Sequence, residues 1–418
     1  MTHLDDIDPE ALWRILDVSR QLGANTDLGT ILGQVVDAAR DVLHAERGTV
    51  LLYDPKAHEL FATVATGADQ IRFPADRGIA GQCARERKLI NVPDCYADPR
   101  FNPEIDRRTG YRTRCLMAIP LIGFDDALVG VMQVLNKVDG VFVPRDERIA
   151  MVFAAQCAVA LQRARLLEGV LRQQKLERDL ALARDIQLRV LPADLPSVPG
   201  YDLAGSSRPA DQTGGDIYDC VPREDGSLML LLGDATGHGI GPALSVTQVR
   251  AMFRMALRLG ANLDQTFLHI NHQLTDDLGG ERFVTAFLGE LDPRQHRVRF
   301  HSGGQGPLFH YRHETRSCHL VDSTTLPLGI LAEVLLDAPK ALQLAPGDHL
   351  ALITDGFFEY ASPTGEPFGL ERLKATQVRL AEGSALEIVQ GLYTTVDHFA
   401  AGAPQVDDMT VMVVQRRA

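Results

Sequence analysis

Four aspartates in the second half of the chain have the neighbours and the spacing that metal chemistry requires. They are Asp216 in Gly-Gly-Asp, Asp234 in Gly-Asp-Ala-Thr-Gly-His-Gly, Asp355 in Thr-Asp-Gly, and Asp407 in Asp-Asp-Met-Thr. Carboxylates gathered in one place repel each other, so such a cluster is tolerable only if a cation lies among them. Oxygen ligands without histidine or cysteine favour Mg²⁺ or Mn²⁺ over zinc. These residues therefore predict a metal-dependent hydrolase.

Apolar runs beside three of these aspartates indicate the strands that would position them. The runs are residues 228–232, 350–353 and 411–414. The first two stop at or just before Asp234 and Asp355, and the third follows Asp407. Residues 200–418 alternate such strands with two helical stretches, near 242–259 and 264–278. Buried strands that each end at a carboxylate can bring the charges to a single edge.

The composition predicts a cytoplasmic protein of two or three domains. The chain has 418 residues, of which 45% are hydrophobic, and a net charge of -13, which argues against binding nucleic acid. Its six cysteines are scattered without a Cys-x-x-Cys spacing, which favours reduced thiols over disulfides or zinc. The amino terminus lacks an apolar signal core, and no uncharged stretch approaches membrane length, so we expect no membrane partner.

The first 160 residues have the pattern of an α+β domain. Apolar stripes between residues 9 and 43 predict two helices, and Asp27 with its neighbours is a candidate cap for the second. Four apolar runs then predict strands, at residues 48–53, 60–64, 116–122 and 128–135. Helical periodicity returns at Arg145, directly after a proline. The order of helices, sheet and helix is typical of a sensor domain.

A charged, proline-free helix is predicted between the two halves, from about residue 159 to 190. Ten positions spaced as a coiled-coil seam begin at Val159 and end at Val190, and six of them are apolar. Three prolines between residues 192 and 199 then mark a boundary. We therefore predict three regions: 1–160 as a sensor domain, 161–192 as a coiled-coil linker, and 193–418 as a catalytic domain.

The first region resembles GAF domains in two segments. Residues 136–147 carry the pattern Asn-Lys…Phe…Asp-Glu, and residues 76–83 resemble the loop that leads into a GAF helix. GAF domains use a central antiparallel sheet to bind small molecules, cyclic nucleotides among them, or to dimerise. The resemblance makes five residues candidates for ligand binding: Asn136, Lys137, Phe142, Asp146 and Glu147. The alternative is that Lys137 and Asp146 form a salt bridge that clips a loop without touching a ligand.

The second region resembles the SpoIIE-like branch of the metal-dependent, type-2C Ser/Thr protein phosphatases. Six motifs occur in the family's order: Gly-Gly-Asp-x-Tyr-Asp, Gly-Asp-x-x-Gly-His-Gly, Pro-Leu-Gly-Ile, Pro-Gly-Asp, Thr-Asp-Gly…Glu and Asp-Asp-Met-Thr. Residues 183–187 with Leu191-Pro192 also resemble the helix leading into such domains. The resemblance implies an αββα sandwich, two packed sheets flanked by helices, with two Mn²⁺ or Mg²⁺ ions at one edge.

The same resemblance assigns roles to individual residues. Asp216 and Asp234 would bridge or flank the two ions with the Ala235 carbonyl as a further ligand, and Asp355 and Asp407 would hold the second ion. Asp408 lies where many relatives have asparagine and is a secondary candidate. The ions would activate a shared water, so no covalent intermediate is needed. His238 either protonates the leaving serine oxygen or is a structural residue of its loop.

Three other residues or segments have open roles. Asp219 either caps a turn or binds a water beside the ions. Arg208 either reaches a phosphate or is an ordinary exposed arginine. The sequence at 301–305, His-Ser-Gly-Gly-Gln, departs from the Asn-Ala-Gly-His that relatives carry near the site, so substrate preference or rate is expected to differ.

Together these features predict a GAF-regulated phosphatase that hydrolyses phosphoserine or phosphothreonine on a protein. By resemblance, the substrate would be a STAS-type anti-sigma-factor antagonist. The GAF domain and the linker would form a parallel homodimer that transmits a signal. Two alternatives remain at this stage: a non-catalytic sensor or scaffold that binds its partner without turnover, and a hydrolase of small phosphoesters.

Overall fold

The computed structural model describes residues 9–62, 71–237, 239–279 and 282–417. The chain divides into two compact units, one ending at Leu176 and the other beginning at Glu177. The division lies inside the segment 161–192 that the sequence analysis sets apart as a linker.

The first unit contains a six-stranded antiparallel sheet. Its strands are β1 (Ala45–Asp54), β2 (Glu59–Ala62), β3 (Ile71–Pro74), β4 (Ile90–Val92), β5 (Leu116–Ile122) and β6 (Leu128–Lys137). Their order across the sheet is β3-β2-β1-β6-β5-β4. The four predicted strands correspond to β1, β2, β5 and β6, although the end of the second, residues 63 and 64, lies outside the described residues.

Helices cover both faces of this sheet. They are α1 (Pro9–Ala24), α2 (Leu28–Leu43), α3 (Gly78–Glu86), α4 (Glu104–Thr109) and α5 (Pro144–Val190), with a 3₁₀ turn at Cys95–Ala97. Because side chains alternate along a strand, Val50 packs with α2 and α5 on one face while Leu51 packs with α3 on the other. Asp27 caps α2 as predicted, since its carboxylate accepts the amide of Thr30.

Helix α5 is 47 residues long and changes character along its length. Its early residues Phe153, Cys157 and Leu161 are buried in the core of the first unit. By length and composition this helix alone, among the described residues, is apolar enough to cross a membrane, with 44% of the apolar window buried. Arg163 and Arg165 interrupt its apolar region, so it does not contradict the expectation that no uncharged stretch approaches membrane length. It is weak evidence for a span, because a buried core helix has the same properties.

The second unit is a sandwich of two five-stranded antiparallel sheets. The first has the order β14-β11-β10-β9-β8 and the second β13-β12-β15-β16-β7. The strands are β7 (Tyr201–Arg208), β8 (Asp216–Pro222), β9 (Leu228–Ala235), β10 (Val284–Asp292), β11 (Arg297–Gly303), β12 (Leu308–Arg312), β13 (Ser317–Val321), β14 (Lys340–Gln343), β15 (His349–Ile353) and β16 (Met409–Arg416). Leu230, Leu232, Leu352 and Met412 belong to the core that both sheets share.

Helices cover the outer faces of this sandwich. They are α6 (Ile240–Arg258), α7 (Leu263–Leu278), α8 (Gly356–Glu359), α9 (Leu370–Leu380) and α10 (Ala385–Ala400). Helices α6 and α7 pack on the first sheet, and α9 and α10 pack on the second. The predicted fold class, α+β with an αββα sandwich in the second half, is confirmed.

The expectation of only two helices after residue 200 is wrong, because α8, α9 and α10 also form. Helix α10 contains Gly391, Thr394 and Thr395, which are poor helix formers, so its propensity is low. Its burial against the second sheet supplies the stability that propensity does not. A capping box between Ser384 and Glu387 marks its start, and that pair was visible in the sequence.

Candidate metal centre

The four aspartates lie at strand ends of both sheets. Asp216 opens β8 and is paired directly across from Asp234, near the end of β9. Asp355 follows β15, and Asp407 precedes β16, which is the antiparallel neighbour of β15. Like charges directly opposite each other disfavour strand pairing, so the Asp216–Asp234 pair needs a compensating charge or a proton.

Thr354 connects the aspartates of the two sheets. Its hydroxyl donates to Asp216 Oδ2 over 2.8 Å and accepts the amide of Thr410 over 2.9 Å. The Thr354 amide in turn donates to the Thr410 carbonyl over 3.0 Å. All three residues are buried, so these bonds hold the start of β8 against the ends of β15 and β16. The Thr-Asp-Gly motif therefore contributes an inter-sheet link as well as an aspartate.

Crowding raises the pKa of the buried carboxyl groups. Burial, and then the charges of Asp355 and Asp407, raises the pKa of Asp234 to about 8. Burial and Asp407 raise the pKa of Asp355 to about 6. Burial and the neighbouring Asp234 raise the pKa of Asp216 well above its usual range. A cation among these carboxylates would offset their repulsion and favour their charged forms.

Three glycines make the close approach of these segments possible. A Cβ at Gly214 would lie 2.8 Å from Asp408 Oδ2, and one at Gly215 would lie 2.9 Å from the Ala235 carbonyl oxygen. A Cβ at Gly356 would collide with the carbonyl oxygen of Asp408. At Gly215 and Gly356 a side chain would meet backbone atoms, and at Gly214 it would displace the Asp408 carboxylate, which explains the glycines in Gly-Gly-Asp and Thr-Asp-Gly.

Asp408 fixes the loop that precedes Asp216. Its Oδ1 accepts the amide of Ala210 over 2.7 Å, and its Oδ2 accepts the amide of Gly215. Burial is the largest cause of its raised pKa, and these amide bonds oppose it. Asp408 therefore has a positional role that the sequence analysis did not assign, while metal ligation by this residue stays a prediction.

Glu359 joins Asp355 and Asp407 in a set that the sequence analysis missed. One carboxylate oxygen from each of the three lies within 4.8 Å of the others. Glu359 comes one turn after Asp355, and its amide donates to the Asp355 carbonyl over 2.8 Å. Residues four apart on a helix share a face, so the spacing in Thr-Asp-Gly…Glu could have indicated this.

The donor set fits hard cations. Among the described residues the clustered ligand atoms are three carboxylate oxygens, with no histidine or cysteine among them, while ligation by the Ala235 carbonyl stays a prediction. Oxygen donors of this kind suit Mg²⁺ and Mn²⁺. His238, the candidate proton donor, lies outside the described residues, so its role stays a prediction.

Asp219 takes neither of its two predicted roles. It lies three residues after Asp216 on β8, so its side chain points to the opposite face of the sheet, toward α6. There its buried carboxylate pairs with Arg254 Nε over 2.6 Å and with Arg250 Nε over 2.8 Å. This ion triad ties β8 to the helix that follows the Asp234 loop.

Replacing Asp219 with asparagine is expected to destabilise the second unit by about 3 kcal/mol, because Arg250 would keep a buried charge without its partner. The matched control is Asp397→Asn, which breaks the more exposed pair between Asp397 and Arg208 and should cost less than about 1 kcal/mol. Calorimetric unfolding of the full chain measures both. Equal losses for the two variants would contradict the role assigned to the triad.

Arg208 is engaged by an aspartate and an aromatic ring of α10. It forms two hydrogen bonds to Asp397, of 2.9 and 2.7 Å, and its guanidinium lies over the Tyr393 ring at 4.9 Å from the centroid. Of the two roles left open for Arg208, the phosphate contact has no support here, and the arginine is instead part of a surface ion pair.

The atypical segment 301–305 connects the sheets beneath the aspartates. Gln305 is buried, accepts the hydroxyl of Thr285 over 3.0 Å, and donates to the Ile353 carbonyl over 3.1 Å. Thr285 is paired across from Asp234, and Ile353 ends the strand before Asp355. The glutamine therefore braces both ligand-bearing strands, a role that no local pattern indicates.

The end of α5 holds the loop of the first metal motif. The Gln187 side chain donates to the Gly214 carbonyl over 2.5 Å and accepts the Gly214 amide over 3.0 Å. Gln187 is buried by these contacts. Although the seam spacing includes position 187, this side chain is committed to Gly214 and is not available to a partner helix.

Gln187→Ala is expected to weaken apparent Mn²⁺ affinity about tenfold, because partners that orient metal ligands typically contribute this much. Gln174→Ala, an exposed glutamine on the same helix, is the matched control. The measurement is Mn²⁺ titration of phosphate release, checked by calorimetric binding. An unchanged Mn²⁺ affinity in the Gln187 variant would show that the loop does not depend on this contact.

The GAF signature residues are engaged by contacts within the first unit. Buried Asn136 accepts the amide of Arg114 over 2.6 Å and donates to Glu46 Oε2 over 3.0 Å, so it fixes the strand end around it. Glu147 accepts the Asn91 side chain over 2.8 Å. These contacts serve the fold, and ligand binding by Asn136 and Glu147 stays a prediction.

Lys137, Phe142 and Asp146 form a clip at the start of α5. Lys137 Nζ lies 2.8 Å from Asp146 Oδ1 and 5.7 Å from the centre of the Phe142 ring. Asp146 Oδ2 also accepts the amide of Val143 over 2.9 Å. The salt bridge that the sequence analysis gave as the alternative to ligand contact is present.

Two known families match this chain in the order that the motifs predict. The family described as Stage II sporulation protein E (SpoIIE) matches residues 224–417, and the GAF domain matches residues 27–161. The first match begins after Asp216, so the Gly-Gly-Asp motif lies just outside it. Both resemblances are confirmed.

Curated relatives match over part of their length. The probable 3',5'-cyclic phosphodiesterase pde-5 of Caenorhabditis elegans is 30% identical over 176 residues, which are 38% of this chain and 24% of that protein. The cGMP-specific 3',5'-cyclic phosphodiesterase of Drosophila melanogaster is 28% identical over 203 residues, 44% and 18% of the respective chains. The chain thus spans no more than about a quarter of these relatives.

A solved phosphatase domain shares the fold of the second unit. The SiaA-PP2C domain of Pseudomonas aeruginosa has 23% identity and a TM-score of 0.50, covering 59% of this chain and 98% of that one. The RsbU and RsbW domains of a Mycobacterium tuberculosis protein have 25% identity and a TM-score of 0.48, covering 55% and 63%.

The sandwich, the aspartates at its edge and the family match define the second unit as a domain of the metal-dependent type-2C phosphatase class. The chain as a whole consists of a GAF domain followed by a SpoIIE-type phosphatase domain.

Proposed function

We propose that this protein is a GAF-regulated, metal-dependent phosphatase that hydrolyses phosphoserine or phosphothreonine on a regulatory protein. One observation carries the proposal: aspartates from both sheets lie at the strand ends that Thr354 links by buried hydrogen bonds. A site built from two sheets can hold two cations at a fixed separation. Two Mn²⁺ or Mg²⁺ ions there would supply an activated water and neutralise phosphoryl oxygens.

Residues of both sheets would hold these ions. Asp216, Asp234 and the Ala235 carbonyl would hold them from the first sheet, and Asp355 and Asp407 from the second. Asp408 positions the loop before Asp216 through two amide bonds. His238 would donate the proton to the leaving serine oxygen.

A protein substrate is supported by apolar side chains near the site. Ile240 and Leu244, at the start of α6, and Ile330 and Leu331, after the Pro-Leu-Gly motif, are all exposed. Exposed apolar groups beside an active site are typical of protein docking surfaces. We propose a STAS-type anti-sigma-factor antagonist as the substrate, as the resemblance to SpoIIE-like phosphatases implies.

Regulation would pass from the GAF domain along α5. Helix α5 runs without interruption from Pro144, beside the Lys137–Asp146 clip, to the segment where Gln187 holds Gly214. Val159, Leu166 and Leu176, at seam positions of this helix, are exposed. These residues support a parallel homodimer through the GAF domain and the helix.

A small molecule such as a cyclic nucleotide is the proposed input. The named function of the curated relatives, cyclic-nucleotide phosphodiesterases, supports this proposal. The proposed location is the cytoplasm, which the six buried free cysteines support.

The test is phosphate release from a phosphoserine STAS protein and from p-nitrophenyl phosphate, each with Mn²⁺ or with EDTA. We expect metal-dependent release from the phosphoprotein at a higher kcat/KM than from the small ester. A preference for the small ester would favour a small-phosphoester hydrolase. Phosphoprotein binding without release under every condition would favour the scaffold.

A further inference from the structure

The described edge of the phosphatase domain has a large excess of negative charge. Besides the aspartates, it includes Glu359, and a phosphate monoester adds a dianion. Two bound cations offset only part of this, so a further cation near the substrate is expected to favour binding. Arg208, Arg250 and Arg254 are engaged by Asp397 or Asp219.

Arg282 lies at the same edge, just before β10. The register of β10 on β9 pairs Thr285 with Asp234 and Val284 with Ala235. Continuing that register places Arg282 opposite Gly237, beyond the end of the strand. The next residue, Phe283, confirms the continuation, because its carbonyl accepts the amide of Thr236 over 3.2 Å. Arg282 is therefore close in the fold to the loop that carries Asp234.

The Arg282 guanidinium lies against the first turn of α6. A Cβ at Gly241 would be 2.5 Å from one of its terminal nitrogens, so the glycine provides the room that this side chain occupies. The first turn of a helix has unpaired amides that favour anions. A phosphate bound beside this arginine would therefore meet a second favourable electrostatic contribution.

Arg282 also differs from the other arginines around the site in its contacts. Its side chain is exposed, and within the described parts of the chain no hydrogen bond or ion pair engages it. An arginine that no described carboxylate engages, at the edge that carries the aspartates, has its five donors available for an incoming anion.

We propose that Arg282 binds the phosphoryl oxygens of the substrate and orients the phosphate toward the metal-activated water. This deepens the proposed function and rests on it. The planar guanidinium can donate two parallel hydrogen bonds to one phosphate, which fixes its orientation as well as its position.

The test uses the full chain with Arg282→Ala, Arg282→Lys and the control Arg294→Ala. Arg294 is exposed and follows β10 at its other end. We expect Arg282→Ala to lower kcat/KM for the phosphoprotein about 10- to 100-fold and to raise the inhibition constant of inorganic phosphate similarly. Arg282→Lys should give intermediate values of both quantities, since lysine keeps the charge but cannot donate two parallel hydrogen bonds. Mn²⁺ affinity, measured by calorimetry, should not change in any variant.

Calorimetric titration of the Mn²⁺-loaded proteins with inorganic phosphate separates this proposal from the proposed function. Phosphate binding that is lost in Arg282→Ala and kept in Arg294→Ala supports the assignment, whether or not the wild type shows turnover. Equal phosphate affinity in the wild type and Arg282→Ala overturns it. Absence of turnover in the wild type, with normal phosphate binding, overturns the phosphatase proposal alone.

Discussion

Asp234→Asn is expected to lower metal-dependent phosphate release by about 10³-fold or more. Asp234 is directly across from Asp216 and is the carboxylate on which the charges of Asp355 and Asp407 also act. An asparagine keeps the shape and loses the charge that attracts the cations. The metal centre contributes several kcal/mol to such reactions, and each 1.4 kcal/mol is about a tenfold change in rate.

Asp225→Asn is the matched control, because it lies in the turn at the opposite end of the same β8–β9 hairpin. It should keep wild-type activity and wild-type Mn²⁺ affinity. Calorimetric titration should show weaker Mn²⁺ binding in Asp234→Asn, with circular dichroism unchanged. Full activity in a folded Asp234 variant would contradict the assignment of this residue to the metal centre. It would also contradict a metal site built from both sheets.

The metal-free protein is expected to lose stability as the pH rises from about 4 to about 8. In this window the folded state keeps a proton on Asp234, whose pKa is raised to about 8, while an unfolded chain with an ordinary aspartate has lost it. The folded state then binds more protons than the unfolded state, so raising the pH favours unfolding. Asp355, with a pKa raised to about 6, adds to this effect in the lower part of the window.

Added Mn²⁺ should reverse this trend, because the cation binds the ionised carboxylates and only the folded chain presents them together. The measurement is the Tm of the phosphatase domain between pH 5 and 8, with EDTA and with Mn²⁺. In EDTA the Tm should fall by several degrees as the pH rises from 5 to 8. Near pH 8, Mn²⁺ should raise the Tm above its value in EDTA. Asp234→Asn should flatten the EDTA profile. A Tm in EDTA that rises with pH would contradict the raised pKa values.

The sequence was sufficient for features that depend on neighbouring residues. Three of the four aspartates adjoin an apolar run, and in the structure all four lie at or beside a strand end, because buried strands of this length stop where charge begins. The alternation of side chains along a strand also predicts, from the sequence alone, that Asp216 and Asp219 point to opposite faces, since they are three residues apart. That rule predicts the face of the sheet on which Asp219 lies, but not the helix that covers it.

Features that join distant segments were not predictable. Gln305 contacts Thr285 and Ile353, which are 20 and 48 residues away. No periodicity or motif encodes such a pairing, since it depends on how the two sheets stack. Gln187 was counted as a seam residue for a related reason: helical spacing gives the face of a side chain, but not the segment that covers it.

The crowded glycines limit how this domain can diverge. Ligand side chains can in principle be exchanged for others, but at Gly215 and Gly356 backbone atoms leave no space for even a methyl group. A substitution at one of these glycines therefore disrupts the arrangement of the metal-binding loops at once. A descendant that carries it loses that arrangement before it can evolve new ligands. Homologues that abandon catalysis should accordingly show substitutions at these glycines as readily as at the aspartates.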